Sequence, residues 1–213
     1  MARDLAIVLN SGSINSAVVT ALAAQKYRPV MVYVDIAAGP ARSKLAFDQQ
    51  VAHFKAFRDH VVALPVLAEV SRAAPAMPAV DPRVTPQVAP RLVDLIPLVG
   101  IAMTLGVQYA AAAVYVGLRV GMTDELARAT EWGQIWNEQL QLACGADLQL
   151  EMPLLELDPW QVVDLGSQVG APLEMTWTCD DPNAAEPCGK CAGCQVREAA
   201  FTHAAKVDPV MKR

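Results

Sequence analysis

The chain has 213 residues, 54% hydrophobic and 18% charged, with a mean hydropathy of +0.26, a net charge of −5 and an isoelectric point near 5.2. That length and apolar content suit one generous domain, or one domain with an appendage, and exclude a disordered chain. The acidic balance gives no basic footprint for nucleic acid, although a small nucleotide needs only a local site.

Met1–Asn10 carries too short an apolar run for a signal peptide, and no run of about 18 uninterrupted apolar residues marks a membrane span. Even Leu92–Val116 is broken by Asp94, Pro97, Gly100, Gly106 and Gln108. A cytoplasmic protein is the expectation. Leu5–Leu9 is a continuous apolar run, the pattern of a strand buried on both faces of a parallel sheet. Asn10–Ser16 then reads Asn-Ser-Gly-Ser-Ile-Asn-Ser, and Ala17–Lys26 has helical spacing. A strand, a loop of small residues and a helix N-terminus make an anion site, because free amides and the positive helix end face outward. An ordinary turn with a serine cap uses the same residues, so both readings stand for Ser11, Gly12, Ser13, Asn15 and Ser16.

Val30–Asp35 is a second strand ending in an acid, Arg42–Arg58 a helix, and His60–Leu64 a third strand. Alternating strands and helices predict an α/β fold with a parallel sheet. Asp35 serves either a ribose or a turn cap. His53 and His60 read as ordinary surface positions. Ser71–Pro90, with its prolines at 75, 78, 82, 86 and 90, is an extended insertion, either lid or linker. Leu92–Ala112 is a helix, Ala113–Gly117 a fourth strand, and Thr123–Ala143 a helix whose Trp132 and Trp136 share a face, for a core or a dimer. Leu150–Leu154 is an edge strand, given its proline. Asp158 caps a helix that opens on Pro159 and runs towards Val169.

Four cysteines then fall in the spacing C-x8-C-x2-C-x2-C: Cys179, Cys188, Cys191 and Cys194. Four thiolates complete a tetrahedral Zn²⁺ shell and leave no open position for substrate, so the site is structural. An iron–sulfur cluster, two disulfides or four unrelated thiols are the alternatives. Cys144 reads as a buried small hydrophobe.

Pro172–Cys179, the eight-residue gap, Cys188-Gly-Lys-Cys191-Ala-Gly-Cys194 and Val196–Phe201 together resemble the C-terminus of the 7-cyano-7-deazaguanine synthase family. Trp136–Leu140 and Met152–Asp158 add weaker similarity. The resemblance implies queuosine biosynthesis and a doubly wound parallel sheet of the PP-loop ATP pyrophosphatase type (adenine nucleotide alpha hydrolase-like), with a C-terminal four-cysteine zinc knuckle. Residues 1–175 would form the α/β domain, with 71–90 an insertion, and 176–213 the zinc-binding segment packed on it. The family adenylates 7-carboxy-7-deazaguanine with ATP and Mg²⁺, then uses ammonia to make the nitrile. A homodimer and a nucleobase or nucleotide ligand are further implications; no nucleic acid or membrane partner is expected.

The family's phosphate loop reads Ser-Gly-Gly-x-Asp-Ser. Here Ser11, Gly12 and Ser16 match, Ser13 replaces the second glycine, and Asn15 replaces the aspartate. An arginine expected within Leu92–Leu95 is absent, the basic segment after the second strand has only Arg42 and Lys44 near it, the Tyr-Pro-Asp-Cys-Arg segment falls near Leu126–Thr130, and a lysine opening the late helix is Pro159. No catalytic residue is assigned. The expectation is a zinc-binding relative with impaired or altered ATP-dependent activity, including a non-catalytic ligand- or partner-binding homologue. The alternatives are a working synthase and a PP-loop ligase acting on another carboxylic acid.

Overall fold

The computed structural model describes residues 4–36, 41–72, 92–122, 125–145 and 147–211. The five parallel strands are β1 (Leu5–Leu9), β2 (Arg28–Asp35), β3 (Arg58–Ala63), β4 (Ala113–Val116) and β5 (Gln149–Glu151), in the spatial order β3-β2-β1-β4-β5. The chain starts in the middle of the sheet, winds outward to one edge, then crosses back and winds to the other. The helices are α1 (Ile14–Ala24), α2 (Ala41–Phe54), α3 (Val66–Arg72), α4 (Leu92–Gln108), α5 (Glu125–Cys144), α6 (Pro159–Gln168) and α7 (Ala192–His203).

The period of two along each strand assigns its side chains to two cores. Ala6, Val8, Ala113 and Tyr115 pack with α1, α6 and α7, and Met31 and Tyr33 continue that face against Phe47 of α2. Ile7, Val30, Val32, Val114 and Val116 point the other way, towards α4 and α5. A sheet covered on both faces is why β1 and β4 read as apolar runs rather than alternating ones. Among the described residues no helix is long and apolar enough to cross a membrane.

The doubly wound parallel sheet is as expected, with differences in detail. β3 is an edge strand, and its burial pattern fits: Val61 is half exposed. α1 begins at Ile14, not Ala17, because the Ser13 hydroxyl accepts from the Ser16 amide and caps the helix directly behind the loop. α2 stops at Phe54, not Arg58, where Lys55 turns left-handed at φ 48°. α3 was not foreseen. α6 starts as expected at Pro159, and the Gln161 side chain accepts from the Asp158 amide at 2.7 Å. Trp132 and Trp136 form an edge-to-face pair, with centroids 5.9 Å apart, packed on the core of the α4/α5 face. The proline-rich stretch lies from Ala73 onward outside the described residues, as do Thr123, Asp124 and the Cys144 side chain.

Candidate functional site

The loop Asn10–Ser13 leaves the C-terminal end of β1, where open α/β sheets form their ligand crevices. Gly12 sits at φ +78°, and a Cβ there would strike the Ser43 carbonyl oxygen of α2. Only glycine meets both demands. The hydroxyls of Ser11, Ser13 and Ser16 form a triangle with sides of 3.1, 3.1 and 3.2 Å. Ser11 N donates to Ser16 Oγ at 3.0 Å, and Gly12 N to Asn10 Oδ1 at 2.8 Å, so two loop amides are turned inward. Within the first turn of α1, Ser16 N donates to Ser13 Oγ at 3.4 Å and Ala17 N to Ser13 O at 3.0 Å, and the positive end of the helix lies at this loop. Asn15 Nδ2 donates to the Gly117 carbonyl at 3.2 Å, tying α1 to the segment that follows β4.

A buried polar network holds this loop from behind. Asn10 Nδ2 donates to Thr20 Oγ1 at 3.1 Å and to Gln50 Oε1 at 2.8 Å. Gln50 Nε2 in turn donates to the carbonyls of Met175, at 2.9 Å, and Gly12, at 3.3 Å. The Trp177 amide also donates to Gly12 O, at 2.9 Å. The segment before the first cysteine is therefore bonded to the backbone of the Asn10–Ser13 loop, and the cysteine knuckle packs at the C-terminal side of the sheet.

The four cysteine sulfurs lie within 4.8 Å of one another, and none is in a disulfide. Cys179 and Cys194 are buried, with Cys188 and Cys191 partly so. Backbone amides point at the sulfurs: Asp180 N to Cys191 Sγ at 3.3 Å, Cys188 N to Cys179 Sγ at 3.5 Å, and Cys191 N to Cys188 Sγ and Cys194 N to Cys191 Sγ at 3.4 Å each. Such donors stabilise thiolates and orient ligands around a cation. The amides of Lys190 and Cys191 pull the Cys188 thiol down to about 6, whereas burial pushes Cys194 up to about 12. Gly193 is required here: its Cβ would meet the Thr178 carbonyl, while its amide donates to Asp180 Oδ2 at 3.0 Å. Behind the knuckle, buried Arg197 pairs with Asp208 at 2.7 Å and donates to Thr176 Oγ1 at 2.9 Å.

A cleft of about 530 Å³ separates loop and knuckle. Ser11, Ser13, Asn15, Arg119, Pro159 and Asp180 are among the residues that line it. The structure thus brings Ser11, Ser13 and Asn15 to one cleft, places Gly12 and Ser16 just behind it, and gathers the four cysteines beside it. Asp35 ends β2 as an exposed residue and is not on the cleft walls. His60 Nε2 instead meets the Tyr109 hydroxyl at 2.8 Å. Sequence reasoning missed Arg119, Gln50 and Arg197. The signal for Arg119 was its place, three residues beyond the end of β4.

The family model for queuosine biosynthesis protein QueC matches residues 5–205. A 7-cyano-7-deazaguanine synthase from Acidobacterium capsulatum is 27% identical over 98% of this chain and 96% of its own length. Among solved structures, an NMN synthetase from Francisella tularensis aligns with a TM-score of 0.51 at 15% identity, covering 96% of this chain and 78% of its own. A tRNA thiolase from Methanococcus maripaludis, solved with its four-iron, four-sulfur cluster, gives a TM-score of 0.51 at 12% identity over 95% and 68%. At these identities the two structures establish the fold, which is the PP-loop ATP pyrophosphatase type.

Proposed function

The chain belongs to the queuosine biosynthesis protein QueC family, and from that premise we propose that it carries one structural zinc ion at its cysteines and takes a phosphorylated, adenylate-class ligand at Ser11–Ser16, with the family's ATP-dependent nitrile formation impaired. The observation that carries the last point is the bond from Asn15 Nδ2 to Gly117 O. The residue standing where the family motif has an aspartate acts as a donor to a backbone carbonyl, a role no ionised carboxylate can fill. A neutral side chain there also gives Mg²⁺ no charge to bind. The Ser13 side chain caps α1 within the hydroxyl triangle, so its Cβ and Oγ take up space that a glycine leaves to the phosphate. Pro159, on the cleft wall, brings no cation where the resemblance implies a lysine.

The zinc reading rests on fit. Tetrahedral thiolates about 2.3 Å from one ion stand about 3.8 Å apart, and Cys191 Sγ lies 3.9 Å from Cys179 Sγ. A cluster seats each thiolate on its own iron and spreads the sulfurs wider, so this spacing favours a single ion. Such an ion would hold the Cys179–Cys194 loop closed and, through Trp177 and Gly12, steady the phosphate loop.

The second reading, a working 7-cyano-7-deazaguanine synthase, draws on the near full-length similarity to such an enzyme. Calorimetric titration of the zinc-loaded chain with ATP, with and without Mg²⁺ and 7-carboxy-7-deazaguanine, separates the two, alongside a turnover assay with ammonia. Impaired chemistry predicts ATP binding that gains little from Mg²⁺, and no nitrile. Ser13→Gly with Asn15→Asp is expected to improve Mg²⁺-dependent binding, at some loss of stability, without restoring turnover. Robust nitrile formation by the unaltered chain would establish the second reading instead.

A further inference from the structure

We propose that Arg119 is the residue that fixes the ligand's phosphoryl oxyanion in the cleft, facing the Ser11–Ser16 loop. The proposal rests on the reading that this cleft takes a phosphorylated ligand, and adds the cation that reads it.

Residues 117–121 run along the C-terminal end of the sheet and are pinned on both sides of the arginine. Gly117 O accepts from Asn15, while Val120 N and Gly121 N both donate to Leu155 O, at 2.9 and 3.0 Å. Leu118 and Val120 are buried in the α4/α5 core, at 4% and 3% exposure. Arg119, between them, lines the cleft together with Ser11, Ser13 and Asn15.

Its Nη1 is buried and makes no hydrogen bond. Burial lowers the guanidinium's proton affinity, and attraction to Asp158 opposes this. The group nevertheless stays charged, because nothing in this range deprotonates an arginine. A buried guanidinium nitrogen without an acceptor is costly to keep, so it calls for a partner that arrives from solution.

The neighbouring charges are otherwise engaged. Asp180 Oδ2 accepts from the Gly193 amide, and Arg197 is committed to Asp208, Thr176 and Leu173. Among the described residues, Arg119 is thus the cation with an open donor on this cleft. A planar fork lining the same cleft as Ser11 and Ser13, at the start of α1, is complementary to a tetrahedral oxyanion with several acceptor oxygens. An apolar ligand would leave the fork unpaired.

The test is calorimetric titration of the zinc-loaded full chain with inorganic pyrophosphate, AMP and ATP in separate arms, for the wild type, Arg119→Lys and Arg119→Met. The expected result is wild-type binding, a loss of about tenfold or more in Arg119→Met, and partial retention in Arg119→Lys. Arg119→Met should melt no lower than the wild type, since it removes a buried donor that lacks an acceptor. Binding of pyrophosphate and ATP but not AMP would place the fork on the terminal phosphates; binding of AMP as well would place it on the α-phosphate. Equal binding by the wild type and Arg119→Met overturns the role of Arg119 and leaves the cleft reading intact. No binding of any probe by the wild type overturns both.

Discussion

Gln50 offers a direct test of how loop and knuckle are joined. It is fully buried and makes three hydrogen bonds, one from Asn10 Nδ2 and two to the carbonyls of Gly12 and Met175. In Gln50→Leu, Asn10 Nδ2 keeps Thr20 Oγ1 and Gly12 O keeps the Trp177 amide. Met175 O loses its partner. Three neutral bonds lost at roughly 0.5–1.5 kcal/mol each, plus an orphaned carbonyl at about 1–3 kcal/mol, are partly offset by the added apolar side chain. The balance is a loss of about 3 kcal/mol, or roughly 6–12 °C in Tm for a chain of this length.

Equilibrium urea unfolding of zinc-loaded protein measures it, with an unchanged m-value showing that the change lies in stability. Gln50→Glu sharpens the test. Its carboxylate would face two carbonyl oxygens, so the folded state favours the protonated form and raises the pKa of the introduced acid. The native contact is then present below about pH 4.3 and is lost as pH rises through the raised folded value. The variant should therefore be less stable at about pH 8 than at about pH 5, relative to the wild type. A loss under about 1 kcal/mol in Gln50→Leu would refute the idea that this network holds the loop.

The cysteine site predicts one zinc per chain by elemental analysis, and a chelator-sensitive Tm; free zinc at a hundredfold excess over Kd should add about 2.7 kcal/mol to stability. Cys188→Ser should bind less than one equivalent and lose most of that increment, and a Tm indifferent to chelator would count against the site. At the alkaline end, burial raises the Tyr33 and Tyr115 phenols above 10.0, helped by Asp35 and Asp48 in the first case and by Glu151 and Tyr27 in the second. The native state then holds protons that the unfolded chain releases, so this contribution is full below about pH 10 and is lost as pH rises through the folded values. The urea midpoint should fall between about pH 9 and about pH 11, and ultraviolet titration of the native chain should show these phenolates appearing late.

The fold was legible where the signal is local. Leu5–Leu9 reads as a two-sided buried strand because five apolar residues in a row have no solvent face, and α/β alternation followed from repeating that pattern. Element boundaries were less legible. Ser13 was visible as a cap candidate, yet its hydrogen bond to Ser16 depends on how the loop folds back. α2 ends at Lys55 through a left-handed turn taken without glycine or proline, which leaves no composition mark. Spatial strand order is not encoded in chain order, so only the pairing shows that β3 lies at an edge. The cysteines were the most legible feature, because all four lie between positions 179 and 194 and short spacings alone bring their sulfurs together.

The cleft was legible only in part, because its chemistry depends on residues far apart in the chain. Asn15 shows why. Compared with a motif, it is an aspartate that has lost its charge. In the fold it is a donor held 3.2 Å from a carbonyl 102 positions away. Asn15→Asp alone would put a carboxylate oxygen against that carbonyl, removing one bond and adding repulsion before any cation arrives. The backbone at Gly117 leads directly to Arg119, so the substitution would also disturb the residue that supplies positive charge to the cleft. On the proposed reading, Asn15, Gly117 and Arg119 form one unit, in which the loop has an amide where the family motif has a carboxylate and the segment after β4 supplies a guanidinium. On the proposed reading, such a site would favour contact between arginine and phosphate over contact bridged by Mg²⁺. Its residues therefore have to be exchanged together, since groups that act as a unit do not contribute additively.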